Sequence, residues 1–453
     1  VSLEAAEVAH LLLALIVLLT AAHLGGHLFA RLRQPQVIGE IAGGLVLGPT
    51  VLGALAPGAW HWLFPAQGAT ASVLGAFYQL GMLLLVYLTG AELRARRESG
   101  GRRTIAYAAI SGLALPFAFG LAVASAVRTG DLAGPDGSPA ALALVFGMAV
   151  AVTSVPVISR IMLDLGILRT LFARIVLAVA VIEDILLYVV LAIVLGMAQA
   201  RGADAYGLWA SYGSGELAPT VAYFTVVPLL FLALSLWLGP RLFVRLSRSR
   251  ANVLERRSPL AFRLVVVFLL CTACGGLGID PIFGALVAGM CVAGAPGAAA
   301  ERSQETLRQV SLGFFVPVYF AIVGVKLDLV HHFDPVFFCW FLALACLVKS
   351  ASVWLGARLA GESSAAARNL AVAMNARGGP GIVLASVAFG AHVINENFFT
   401  SLVLLSIVTS QFAGFWLGRT VARGKPLMPG SPGETAGTAG PGTGREPLVE
   451  DVR

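Results

Sequence analysis

The 453-residue sequence is short of charge: Asp, Glu, Lys and Arg make up only 12% of it. A soluble globular domain carries about 25%, so a water-facing surface of ordinary extent is excluded for most of the chain. Cysteine is scarce as well. The five present, Cys271, Cys274, Cys291, Cys339 and Cys346, all fall in apolar segments, which excludes a disulfide framework. Cys271 and Cys274 have the spacing of half a metal site, but no second Cys or His pair stands at ligand spacing, so small lipid- or helix-facing residues are the better reading. A contiguous basic face with interleaved aromatics is missing too, despite the net charge of +7, and this excludes a nucleic-acid partner. The N-terminus, VSLEAAEVAH, lacks the basic start of a signal peptide, so the first apolar segment reads as a retained helix.

What is present is apolar length. Hydrophobic residues make up 58% of the chain and mean hydropathy is +0.86. The pattern is that of an all-α, polytopic membrane protein. Thirteen apolar spans are expected, near 8–30, 36–54, 71–92, 104–127, 139–162, 174–199, 219–243, 260–277, 280–295, 307–327, 335–357, 369–391 and 398–418. Basic residues cluster in alternate connections, among them Arg31 and Arg33, Arg94 to Arg103, Arg160 to Arg174, and Arg241 to Arg263, then Arg302, Arg308, Arg358 and Arg368. The opposite connections hold only Arg128, Arg201 and Lys326. By the positive-inside rule the N-terminus lies outside and the C-terminus in the cytoplasm of a multi-pass cell-membrane protein. Residues 1–423 then form the transmembrane unit, and 424–453, rich in Gly, Pro and Thr, read as a disordered cytoplasmic tail.

The chain also repeats itself. IGEIAGGLVLGP at 38–49 resembles FGALVAGMCVAG at 283–294, and GAEL at 90–93 lines up with GVKL at 324–327. The matched pairs lie seven spans apart. An odd offset inverts the second copy, and inverted repeats are a common plan of secondary transporters.

Glu183 and Asp184 interrupt the apolar run IVLAVAVIEDILLYVVLAIVLG, residues 175–196. Insertion scales charge about 2.5–3.5 kcal/mol for one Asp at a helix centre. A helix that only had to span would not carry two acids there. They call for a proton, a cation or a buried base, which points to ion or proton movement. Lys349 lies mid-span in LALACLVKSASVWLGARL, too deep to snorkel easily, so its natural partner is Glu183 or Asp184. The fifth span carries Thr153-Ser154-Val155-Pro156 and the twelfth, its partner by the repeat, carries Arg377-Gly378-Gly379-Pro380-Gly381. Pro and Gly at mid-span break helices, and broken helices at corresponding positions of two repeats are a pointer to a transport site. Arg377 is expected to neutralise carbonyl ends at its break. His23 and His27 read as helix packing, Glu40 and Glu92 as funnel-lining or structural, and Asp280 as a residue of the outer surface.

These motifs, in order, resemble the cation:proton antiporter-2 family of monovalent cation/proton exchangers. The resemblance covers about 31–420 and rests on PQVIGEIAGGLVLGP, LGMLLLVYLTGAEL, TSVPVISRIMLDLG followed by VIEDILL, FFVPVYFAIVGVKLDL and MNARGG. It implies broken, crossing core helices, with a mobile core of helices about 104–199 and 335–420. It also implies a dimeric scaffold of about 8–92 and 260–327, with a linker helix at about 219–243. Asp184 matches the family's cation-binding aspartate, Glu183 the position before it, Thr153 and Ser154 the polar pair at the break, and Lys349 the core lysine. The implied activity is exchange of protons for Na+ or K+ by alternating access, with no cofactor, no resident metal and no enzymatic reaction. Members often carry a cytosolic nucleotide-binding domain, for which residues 424–453 are too few. A gated cation channel is the alternative, but no repeated filter loop appears. An intramembrane aspartyl protease would need acids on two helices, whereas Glu183 and Asp184 are neighbours on one.

Overall fold

Lipid offers no hydrogen bonds, so an apolar run must satisfy its own backbone, and a helix does so within the segment. The computed structural model describes residues 4–428 except 33, 96–100, 127–128, 169, 200–207, 209–216, 250 and 293–297. Among the described residues it is all-helical, apart from one isolated bridge between Ala133 and Ile394. Residues 429–453 of the expected tail lie outside the described residues.

In the first half, α1 is Ala5–Arg31, α2 Gln36–Leu47, α3 Pro57–Leu63, α4 Ala69–Ala95 and α5 Arg102–Ala126. They are followed by α6 Pro139–Ala151, α7 Val155–Asp164 and α8 Leu171–Gln199. A connecting helix, α9 Leu217–Ser247, presents Leu230, Leu234 and Trp237 outward as a lipid-facing strip. In the second half come α10 Val253–Arg257, α11 Pro259–Gly276, α12 Pro281–Val292, α13 Ala298–Val310 and α14 Val316–Val325. The chain continues with α15 Pro335–Leu359, α16 Ser364–Ala373, α17 Gly378–Gly390 and α18 Glu396–Ala422.

Among the described residues, eleven helical stretches are long and apolar enough to cross a bilayer. The remaining two of the roughly thirteen expected spans, the fifth and the ninth, hold the shorter apolar helices Pro139–Ala151 and Pro281–Val292. The fifth is cut short because the chain turns extended at Val152. It resumes as α7, so the two pieces together occupy one expected span.

The two halves interlock as the repeat requires. Helix α2 packs on α14, and α12 packs on α4; exchanging the repeats converts the first contact into the second. Glycine makes both crossings possible. A Cβ on Gly44 would lie 2.0 Å from the Ala321 carbonyl oxygen, and one on Gly324 would lie 2.1 Å from that of Ile41. At the other crossing, a Cβ on Gly90 or Gly289 would come within 2.1 Å of the Leu286 or Tyr87 carbonyl oxygen. The two sequence alignments place these four glycines opposite each other, Gly44 with Gly289 and Gly90 with Gly324.

The helices nearest the centre are the most enclosed. Within the stretch Ser364–Gly390, 94% of the most apolar window is buried, against 22% for α1. Beyond α18 the chain folds back. Leu427 and Met428 are each 2% exposed, and the Leu427 carbonyl accepts a 3.0 Å hydrogen bond from Asn369 Nδ2 of α16. The beginning of the segment expected as a tail is thus packed.

Candidate functional site

Two interrupted helices build the centre. After α6 the residues Val152, Thr153 and Ser154 are non-helical, and after α16 the residues Met374 to Arg377 interrupt the second. The breaks cross each other. The Ser154 amide donates to the Ala376 carbonyl at 2.6 Å, and the Thr153 hydroxyl donates to the Met374 carbonyl at 2.5 Å. Ser154 Oγ in turn accepts the Val157 amide at 3.3 Å, capping α7. The approach is so close that a Cβ on Gly378, whose φ is +27°, would meet Val157 Cγ2 at 2.2 Å.

Ending a helix inside the membrane strands carbonyls that carry the negative end of the helix dipole. At the end of α6 two cations take them up. Arg377 donates from Nε to the Ala149 carbonyl at 3.0 Å and from Nη2 to the Val150 carbonyl at 3.0 Å. Its Nη2 also reaches the Ala345 carbonyl at 2.9 Å, and Nη1 reaches Asn375 Oδ1 at 3.1 Å. Lys349 donates to the next carbonyl, that of Ala151. Arg377 is therefore occupied by backbone ends.

Lys349 Nζ also donates to Glu183 Oε1 at 2.7 Å and to the Gly112 carbonyl of α5 at 2.8 Å. Both partners of this ion pair have fully buried side chains. One ammonium thus ties together α5, α6, α8 and α15. Its three donors are all used, which is what a buried Lys requires.

Asp184 follows Glu183 on α8 and is also fully buried. One residue along a helix turns the side chain by about 100°, so the two acids cannot face the same neighbours. Tyr188, four residues on and 2% exposed, shares the Asp184 face. The six sequence-selected residues, Glu183, Asp184, Thr153, Ser154, Lys349 and Arg377, are all buried. Hydrogen bonds join Arg377 and Lys349 to the end of α6, Lys349 to Glu183, and Thr153 and Ser154 to the second break.

Other predicted positions lie elsewhere. Glu40 is half-buried on α2, where Gly26 of α1 approaches its side chain. His23 Nε2 contacts the Gly313 carbonyl at 3.1 Å, a packing contact between α1 and the stretch before α14. The Glu92 side chain lies outside the described residues. Asp280 is drawn inward rather than left on the surface: its Oδ1 accepts the Ile282 amide at 2.8 Å, capping α12.

Sequence reasoning missed several participants. Asn375 positions Arg377 and itself donates to Ser350 Oγ at 2.8 Å. Ser410 Oγ accepts the Gly378 amide at 3.1 Å, holding the start of α17. Tyr319 of α14 donates to Ser386 Oγ of α17 at 3.2 Å, and its ring lies 5.1 Å from that of Tyr78. Arg263, counted as a connection residue, is only 3% exposed and donates to Ser303 and to Gln304 Oε1. A polar residue at each of these apolar positions is the only signal that the sequence carries.

A family model described as sodium/hydrogen exchanger, transmembrane, matches residues 13–423. Among curated proteins the chain is 28% identical over 403 residues to the Na(+)/H(+) antiporter NhaS4 of Synechocystis sp., covering 87% of this chain and 93% of that protein. It is 27% identical over 395 residues to the K(+)/H(+) antiporter 1 of Saccharomyces cerevisiae, covering 84% of this chain but 43% of the yeast protein. The chain thus spans nearly all of the first relative and less than half of the second. The fold matches that of the sodium proton antiporter MjNhaP1 from Methanocaldococcus jannaschii with a TM-score of 0.61 and 14% identity, covering 92% of this chain and 99% of that one.

Proposed function

We propose a function on one premise: this chain belongs to the sodium/hydrogen exchanger family. It is a secondary antiporter that exchanges protons for a monovalent cation, Na+ or K+, across the membrane. Asp184 binds cation and proton in turn. Glu183 with Lys349 holds the helix ends in place, and Thr153, Ser154 and freed backbone carbonyls at the crossing complete the cation's surroundings. A core containing α5 to α8 and α15 to α18 moves against a scaffold containing α1 to α4 and α11 to α14, with α9 as linker. The scaffold forms the contact of a homodimer. The N-terminus is outside and the C-terminus cytoplasmic.

One observation carries this reading: a fully enclosed acid pair, with its lysine, at the crossing of two broken helices. Neutral helix packing has no need of it, since replacing a buried ion pair by apolar residues is often neutral or stabilising. A channel would need a continuous lined path past the site, whereas Glu183, Asp184 and Lys349 are all 0% exposed. Alternating access accounts for both facts, because the site is opened to one side at a time.

The test uses the purified chain in proteoliposomes with a trapped pH dye. Added Na+ or K+ should drive proton movement, and Asp184→Asn should abolish it while leaving the melting transition near that of the parent. Robust exchange by the Asn variant would remove Asp184 from the mechanism.

A further inference from the structure

The outward face of α9 changes character along its length. Leu230, Leu234, Trp237 and Leu238 are exposed. Arg241, Arg245 and Arg248, also exposed, continue the same stripe at steps of three and four residues. From Leu230 to Arg241 the helix rises about 16 Å. That matches one leaflet, half of the roughly 30 Å hydrocarbon core. An exposed Trp at the end of the apolar part suits the membrane–water interface. The three guanidinium groups therefore stand at headgroup level, next to a track long enough for an acyl chain. Leu238, Leu242 and the three arginines line one open groove there.

Charge in this region is one-sided. Six arginines fall between 241 and 257 against a single acid, Glu255, and Glu255 accepts from Ser247 Oγ at 3.0 Å. Among the described residues no Asp or Glu forms an ion pair with Arg241, Arg245 or Arg248. Arg241 donates to the Trp237 carbonyl and lies 5.8 Å from the centre of the Trp237 ring. The opposite face of α9 is fixed to the protein. Phe243 is buried and stacks on Phe262 of α11 at 5.4 Å, and Cys291 Sγ of α12 donates to the Ser235 carbonyl at 3.3 Å.

We infer that this face binds an anionic phospholipid, its phosphate held by Arg241, Arg245 and Arg248 and an acyl chain lying along Leu230, Leu234 and Leu238. Guanidinium groups take phosphate oxygens in a fork, and a basic cluster at the end of a membrane helix recognises anionic headgroups. The positive-inside rule by itself places arginines on this side. It does not require that they share one face, stay clear of acids and continue an apolar stripe one leaflet long. Binding does not depend on transport, so this inference stands or falls apart from the antiport reading.

The test uses the purified full chain in micelles of a neutral detergent, titrated with phosphatidylglycerol or phosphatidylcholine and followed by thermal melting. Phosphatidylglycerol should raise the melting temperature of the parent saturably, and phosphatidylcholine should not. Each arginine at an anionic surface strengthens attachment about fivefold. For Arg241→Gln/Arg245→Gln/Arg248→Gln the midpoint of the titration should therefore rise by up to about a hundredfold, with melting in the absence of lipid unchanged. The corresponding triple Lys variant keeps the charge but loses the fork, so its midpoint should be intermediate; it carries the test if the Gln variant folds poorly. Arg358→Gln/Arg368→Gln/Arg419→Gln removes the same charge from other exposed positions and should leave the midpoint unchanged. Salt should weaken binding by the parent. An equal loss in this control triple, or equal stabilisation by phosphatidylcholine or by soluble glycerol 3-phosphate, would overturn the assignment. So would a parent dimer that the α9 triple dissociates without any phosphatidylglycerol, which would give the face to a second copy of the chain.

Discussion

Removing the ammonium of Lys349 is the sharpest test of how the centre is held. In Lys349→Ala, Glu183 loses its 2.7 Å partner, and the carbonyls of Gly112 and Ala151 lose a donor each. Breaking a buried pair from one side costs about 3–5 kcal/mol. Leaving a buried acceptor unsatisfied costs about 1–3 kcal/mol. Glu183 can relieve part of this by taking up a proton, so the upper end of the pair figure, about 5 kcal/mol, is the expected loss. In the double variant, Glu183→Gln with Lys349→Gln, no uncompensated charge remains. The amide introduced at 349 can still donate to one of the two carbonyls. The expected loss falls to about 1–2 kcal/mol, the scale of one or two neutral hydrogen bonds. Equilibrium unfolding in mixed micelles, titrated with a denaturing detergent and followed by tryptophan fluorescence, measures both. A difference of about 3 kcal/mol is roughly two powers of ten in the folded-to-unfolded ratio. If the double variant loses as much as Lys349→Ala, or Lys349→Ala costs less than about 1 kcal/mol, the pair does not hold the crossing and the reasoning fails.

Gly44→Ala and Gly289→Ala place a methyl about 2 Å from a carbonyl oxygen of the crossing helix, so each should cost about 1–3 kcal/mol by overpacking. Gly75→Ala, with nothing within 4 Å, should be neutral or slightly stabilising; equal melting of all three variants would contradict the close crossings. Exchange should be electrogenic, because Glu183 beside Lys349 can supply a proton additional to that of Asp184; a rate insensitive to an imposed potential, worth about 2.3 kcal/mol per charge per 100 mV, would make the pair purely structural. Partial burial opposes ionisation of Asp328, but the amides of His331 and Val330 and the His331 ring outweigh it and hold its carboxyl below the ordinary value. A depressed carboxyl stabilises the fold above its unfolded pKa of about 3.9 and loses that contribution as pH falls through the lower folded value. Melting of Asp328→Asn should therefore converge with that of the parent only below about pH 4, and parallel pH profiles would refute this.

Much of the architecture follows from local chemistry that the sequence carries by itself. Apolar runs must be helical in lipid, so span positions were legible to within a few residues. Pro and Gly clustered at mid-span weaken a helix, and such clusters marked the breaks at 152–154 and 374–377, whereas the single Pro116, Pro228 and Pro240 sit inside continuous helices. The cost of a lone charge in the membrane is also a local property, and it marked Glu183, Asp184, Lys349 and Arg377 before any contact was known. Which partner each charge meets is decided elsewhere. The carbonyls that Arg377 and Lys349 receive belong to Ala149, Val150 and Ala151, and any residue type presents a carbonyl. Nothing in those three apolar side chains announces the contact. The same holds for the four glycines of the crossings, which are indistinguishable from lipid-facing glycines until two backbones are brought together. Asp280 reads as a surface residue because its neighbours in sequence are loop-like, and only the packing of α12 beside α8 brings it near Tyr188 and Leu191. Leu427 and Met428 follow a polar turn and precede a Gly/Pro-rich stretch, yet Asn369, 58 residues earlier, draws the chain back and buries them. Periodicity and desolvation act along the chain and can be read from it; backbone acceptors and close approaches exist only once distant segments meet.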